Sequence, residues 1–85
     1  MTKHHIPITD LASLGAAIRA RRQLARMTLD EAADLLGVSR RFLIELEHGR
    51  RRASIDKVLD VLHAFGLELM LLPRGKDGPG HVADR

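Results

Sequence analysis

The residues with the clearest chemical potential in this chain are arginines, and they fall in blocks: Arg19, Arg21, Arg22 and Arg26, then Arg40 and Arg41, then Arg50, Arg51 and Arg52. Blocks of this kind, on a chain whose formal net charge is only +3, point to a polyanionic partner. The last block follows a helix in a loop and is expected to bind phosphates, the alternative being a merely solvated basic turn. Catalytic chemistry finds no comparable grouping. His4, His5, His48, His63 and His81 are scattered, without the spacing or the partner carboxylates of a metal or triad site. No glycine-rich phosphate loop follows a strand, and the absence of cysteine removes disulfides and thiolate metal sites. The chain is therefore read as a binding protein, not an enzyme, with no cofactor and no metal.

The elements that must position those arginines are short helices. Thr28 and Glu31 have the spacing of a capping box, which predicts a helix from about Leu29 whose buried side is Ala32, Ala33, Leu35 and Leu36. The small alanines let a second helix cross closely. Gly37 ends this helix, Val38 plugs the turn, and Ser39 caps a following helix through Arg40, Arg41, Phe42, Leu43, Ile44, Glu45, Leu46 and Glu47, closed by Gly49. Leu43 and Leu46 stand one turn apart and point inward with Val38. Ser39, Arg40, Arg41, Ile44 and Glu45 are left on the outer side, the candidate reading face.

The 85 residues allow one core, and 45% hydrophobic with 2% aromatic residues makes that core aliphatic. Thr9 or Asp10 can cap a first helix to about Ala25, with Leu11, Leu14, Ala17, Ile18 and Leu24 as its apolar contacts. Ser54 caps a fourth helix in which Ile55, Val58, Leu59, Leu62 and Phe65 form a buried stripe, and Gly66 stops it. Residues 67–72 are too short for a helix after a glycine stop and end at Pro73, which predicts a strand. A lone strand leaves its edges open, so Leu67, Leu69, Met70, Leu71 and Leu72 are expected to pair with a second copy of the chain. Residues 1–10 read as an N-terminal arm, 11–66 as the helical domain, 67–73 as the dimerisation strand and 74–85 as a flexible tail. With no membrane span and no apolar signal core, the expected location is the cytoplasm.

Leu14, Ile18, Arg22, Thr28, Ala33, Gly37, Val38, Ser39, Leu43, Leu46, Glu47 and Gly49 fall where the XRE/Cro-type helix-turn-helix family places its signature residues, so the chain resembles that family over about residues 11 to 66. More narrowly, the LELMLLPR run directly after the last helix resembles the HipB-type antitoxins of toxin-antitoxin systems, whose short strand builds the dimer. The fold implied is all-α with one C-terminal strand pairing across a homodimer. The function implied is an operon autorepressor that binds an inverted-repeat, double-stranded DNA operator and restrains a HipA-type kinase toxin. An aromatic anchor sometimes found at the end of such antitoxins is missing here.

From the resemblance, Arg22 pairs with Glu47 and belongs to the architecture. The contacts to DNA fall to Thr28, Ser39, Arg40, Arg41, Ile44, Glu45, Arg50, Arg51 and Arg52. Base edges are met in the family by the first turn of the recognition helix, and an arginine there can donate two hydrogen bonds to guanine O6 and N7. One of Arg40 and Arg41 is thus expected to read a base, against a pure phosphate role for both. Ile44 stays open between a thymine methyl contact and half-buried packing, while Phe42 is read as packing. Arg19 and Arg26 are equally well a solvated helix face. A stand-alone phage-type repressor, a restriction-modification controller protein, or an interaction module without specific DNA binding would share much of this pattern.

Overall fold

The computed structural model describes residues 5–74. Four helices follow one another: α1 (Leu11–Leu24), α2 (Leu29–Leu36), α3 (Arg40–Glu47) and α4 (Ile55–Ala64). Each starts at a residue whose side chain accepts from a free backbone amide of the first turn: Asp10, Thr28, Ser39 and Ser54. Two of these starts are reciprocal. Asp10 accepts from the Ser13 amide at 2.8 Å while the Ser13 hydroxyl receives the Asp10 amide, and Thr28 and Glu31 exchange the same pair of bonds.

All four helices end in one kind of turn. A left-handed residue follows each helix, its amide and the next amide reaching back to carbonyls of the last turn, as in Val38 to Ala33, Arg50 to Glu45 and Leu67 to Leu62. Glycine fills the left-handed position after α2, α3 and α4, with φ of 70°, 71° and 76° at Gly37, Gly49 and Gly66. After α1 the position is held by Arg26 at φ 61°, a conformation that carries a steric cost in a residue with a Cβ.

The core joins one face of every helix: Ile18 from α1, Ala32 and Ala33 from α2, Leu43 and Leu46 from α3, Val58, Val61 and Leu62 from α4, and Phe65 just beyond it. Several residues expected there are exposed instead, namely Leu11, Leu24, Leu35 and Ile55. In the two turns of α2 the inward face passes through Ala32, Ala33 and Leu36, so Leu35, one residue from Leu36, is turned about 100° away. In α4 the stripe runs Val58, Val61, Leu62, Phe65, and Ile55 lies in the first turn, beyond the edge of the core. Val61, fully buried, was absent from the expected stripe.

The predicted strand does not form within the single chain. Among the described residues there is no strand: 67–74 run on as irregular chain, with Leu69, Met70, Leu71 and Leu72 exposed. A strand exists only as part of a hydrogen-bonded ladder, and a single copy of 67–72 has nothing to pair with. The fold is therefore all-α. The tail expected over 74–85 lies outside the described residues apart from Arg74. No helix among the described residues is long and apolar enough to cross a membrane.

Candidate nucleic-acid interface

The reading face depends on how firmly α3 is seated. Arg22 on α1 meets Glu47 at the end of α3 through two parallel bonds, Nε to Oε2 at 2.7 Å and Nη2 to Oε1 at 3.1 Å. The remaining end of the guanidinium donates from Nη1 to the Met27 carbonyl at 2.8 Å. With side chains only 10% and 2% exposed, the pair is buried yet fully hydrogen-bonded, and the Glu47 carboxylate raises the Arg22 pKa above its ordinary value. One and two turns earlier on the same stripe of α1 lie Ile18 and Gly15, both buried. Gly15 admits the backbone of Leu46 and Glu47 so closely that a Cβ would overlap their carbonyl oxygens, and at Gly49 a Cβ would fall 2.7 Å from the Ala12 Cα. Neither close approach was anticipated.

The outer face of α3 carries Ser39, Arg40 and Arg41 at its start, all exposed, with Ile44 and Glu45 half-buried. The Ser39 hydroxyl accepts from the Phe42 amide at 3.0 Å, which ties it to the helix start. Ile44 is half-buried without belonging to the set packed on the core, whereas Phe42 does belong to that set. Thr28 lies exposed at the start of α2, its hydroxyl committed as an acceptor to the Glu31 amide.

Charge on this face is paired. Arg40 contacts Asp30 of α2 at 3.0 Å, both well exposed. Glu45 is shared: Oε2 accepts from Arg41 Nε at 3.0 Å and Oε1 from Arg51 Nη1 at 3.0 Å. These bonds, Arg41's first and Arg51's second, hold the Glu45 carboxyl below its ordinary pKa. Arg51 also sits over the Phe42 ring, its guanidinium carbon 4.9 Å from the centroid, so a loop residue is fastened to the recognition helix by a carboxylate and an aromatic face. The Arg41–Glu45 contact was legible as an i, i+4 pair. Asp30 and the Arg51–Phe42 contact were not, because they join segments brought together by the turn.

Of the α1 arginines, Arg21 has an architectural contact: its Nε donates to the Phe65 carbonyl at 2.9 Å, satisfying the end of α4. Arg19 is exposed. Among the described residues, no group of three or more His, Cys, Asp or Glu side chains could hold a metal ion.

Two short helices at a glycine turn, the second clamped from behind and bearing an arginine-rich first turn in front, define a helix-turn-helix. Residues 18–72 match the Helix-turn-helix family, and the chain belongs to that family in its XRE/Cro form. It is 38% identical over 65 residues to an uncharacterised HTH-type transcriptional regulator, y4mF, of Sinorhizobium fredii, covering 76% of this chain and 86% of that one. The clp gene regulator ClgR of Corynebacterium glutamicum is similar in structure, with a TM-score of 0.65 and 39% identity over 79% of this chain and 85% of its own. The restriction-modification controller protein C.AhdI of Aeromonas hydrophila has a TM-score of 0.63 at 26% identity, covering 68% and 88%.

Proposed function

We propose that this protein is a DNA-binding transcriptional regulator that reads a double-stranded operator with the first turn of α3. The observation that carries the reading is the placement of Ser39, Arg40 and Arg41 on the exposed front of a helix whose back is locked to α1 by Arg22 and Glu47. Regulators similar to this chain over most of their length support it. Arg40 and Arg41 would meet base edges in the major groove, with Thr28, Ser39, Ile44 and Glu45 beside them and Arg50, Arg51 and Arg52 on or near the backbone.

The operator follows from the subunit arrangement. The exposed apolar residues Leu69, Met70, Leu71 and Leu72 need a partner, and pairing 67–72 with its copy would give a twofold dimer. Such a dimer binds an inverted repeat whose half-site centres lie roughly 34 Å apart, one helical turn, or a multiple of that. Footprinting on the promoter of the protein's own operon tests this: two symmetric protected half-sites are expected, and one unsymmetrical site refutes it. Sedimentation of Met70→Pro tests the joint, since proline removes a ladder donor; a dimer that survives the change is not joined there.

Restraint of a HipA-type kinase toxin is a second reading, favoured by the apolar run at 67–72 alone. Calorimetry with the product of the adjacent gene decides it: association supports an antitoxin, and its absence leaves a regulator without a toxin partner, with ClgR described as a clp gene regulator and C.AhdI as a restriction-modification controller protein.

A further inference from the structure

We infer that Glu45 is a specificity-determining residue, which holds Arg41 and Arg51 against indiscriminate engagement of phosphates and presents Arg41 for base reading. The inference rests on the DNA-binding role proposed above. Each oxygen of the Glu45 carboxylate is committed to a different arginine, at 3.0 Å in both cases, and Arg51 is further held over the Phe42 ring. Arg50 and Arg52 differ. Both are exposed, and neither makes an ion pair among the described residues.

Any duplex offers phosphates. For Arg41 and Arg51 to take them they must leave Glu45, and the vacated carboxylate then faces the same polyanion, like charge to like. A cognate site changes the balance, because cytosine and adenine present amino donors in the major groove to which a carboxylate oxygen can bond. The geometry of Arg41 supports the second half of the role. Glu45 binds it through Nε, leaving its terminal pair of nitrogens on a side chain 85% exposed, and that pair is the fork that fits guanine O6 and N7.

The test uses the full chain and two probes: a scrambled-sequence duplex, and the duplex that the wild-type protein enriches from a random pool. Glu45→Gln removes the charge and keeps the shape; Glu45→Ala removes both, and thermal melts confirm that each folds. Both variants are expected to bind the scrambled duplex roughly fivefold more tightly at low salt, with a log–log salt slope steeper by up to about 0.9 for each arginine released. Affinity for the enriched duplex should rise less, so that the ratio between the two probes falls. An unchanged ratio, or weaker binding to the scrambled duplex, overturns the inference while leaving the DNA-binding role standing. If the wild-type protein binds neither probe, the DNA-binding role fails and the inference falls with it.

Discussion

Gly15 and Glu47 meet backbone to backbone, the Cβ that Gly15 lacks falling 2.6 Å from the Glu47 carbonyl carbon and overlapping its oxygen. The contact is with main chain, which cannot rotate aside. Gly15→Ala is therefore expected to push α1 off the end of α3 and cost about 1–3 kcal/mol, the range for overpacked cores. In a thermal melt this lowers Tm by about 4–8 °C per kcal/mol for a domain of this size. An unchanged Tm would mean that the helices do not approach so closely.

The clamp two turns further along α1 should behave as a pair. Arg22→Met leaves the Glu47 carboxylate buried without its partner, and the expected loss is about 3–5 kcal/mol in urea unfolding. Adding Glu47→Leu should recover most of that loss, since the cost lies in the stranded charge. A double variant as unstable as the single one would show that the hydrogen bonds themselves carry the stability.

Arg26 gives the opposite expectation. Its φ of 61° is one that glycine adopts freely, and Arg26→Gly keeps every backbone bond of the turn. Relief of about 1–2 kcal/mol of left-handed strain, less about 0.5–1 kcal/mol of added chain entropy, should leave a net gain of about 0–1.5 kcal/mol. A lower Tm would show that the Arg26 side chain contributes a contact.

Stability should also fall in acid. Asp10, bonded first by the Ser13 amide and then by its hydroxyl, and Glu45, bonded by Arg41 and Arg51, both have folded-state pKa values below the ordinary 3.8 and 4.5. A depressed folded pKa gives stability that is present above the ordinary value and is lost as pH falls through the folded one. The urea midpoint should therefore drop below pH 4.5 in the wild type and less steeply in Asp10→Asn/Glu45→Gln, in which asparagine retains the cap. Identical profiles would place the acid sensitivity elsewhere.

On DNA, Arg40→Ala should lose about 1–3 kcal/mol at one base pair in each half-site and relax preference there. Arg50→Ala should weaken all sequences alike and reduce the salt slope by about one. Equal loss of specificity in both would erase the distinction between reading and anchoring arginines.

Helix limits were legible because their causes are local: Thr28 with Glu31, Ser39 and Ser54 at the starts, and Gly37, Gly49 and Gly66 just past the ends, act within a few residues of themselves. What was not legible depends on how helices cross. Leu35 and Leu36 are both apolar, and only the position of the other helices turns Leu36 inward. Arg21 belonged to a run of charge until its bond to Phe65, 44 residues away, gave it a fixed place. The residues of the candidate site were nameable from the helix period; their pairing with Asp30 and Phe42 was not, since those contacts cross the turn or join helix to loop. The strand over 67–72 was read from its shortness between the Gly66 stop and Pro73, and those local signals cannot provide the second edge.

Arg21 and Arg22 are neighbours in sequence that hold two different elements, one the Phe65 carbonyl just past α4, the other Glu47, the last residue of α3. A single peptide unit of α1 thus links the start of the 67–72 segment with the helix that carries the candidate reading face. In a dimer joined through 67–72, that stiff link would fix the span between the two reading helices as the jaws of a caliper are fixed. Operators with half-sites shifted by one base pair would then be rejected outright and not accommodated by bending of the protein.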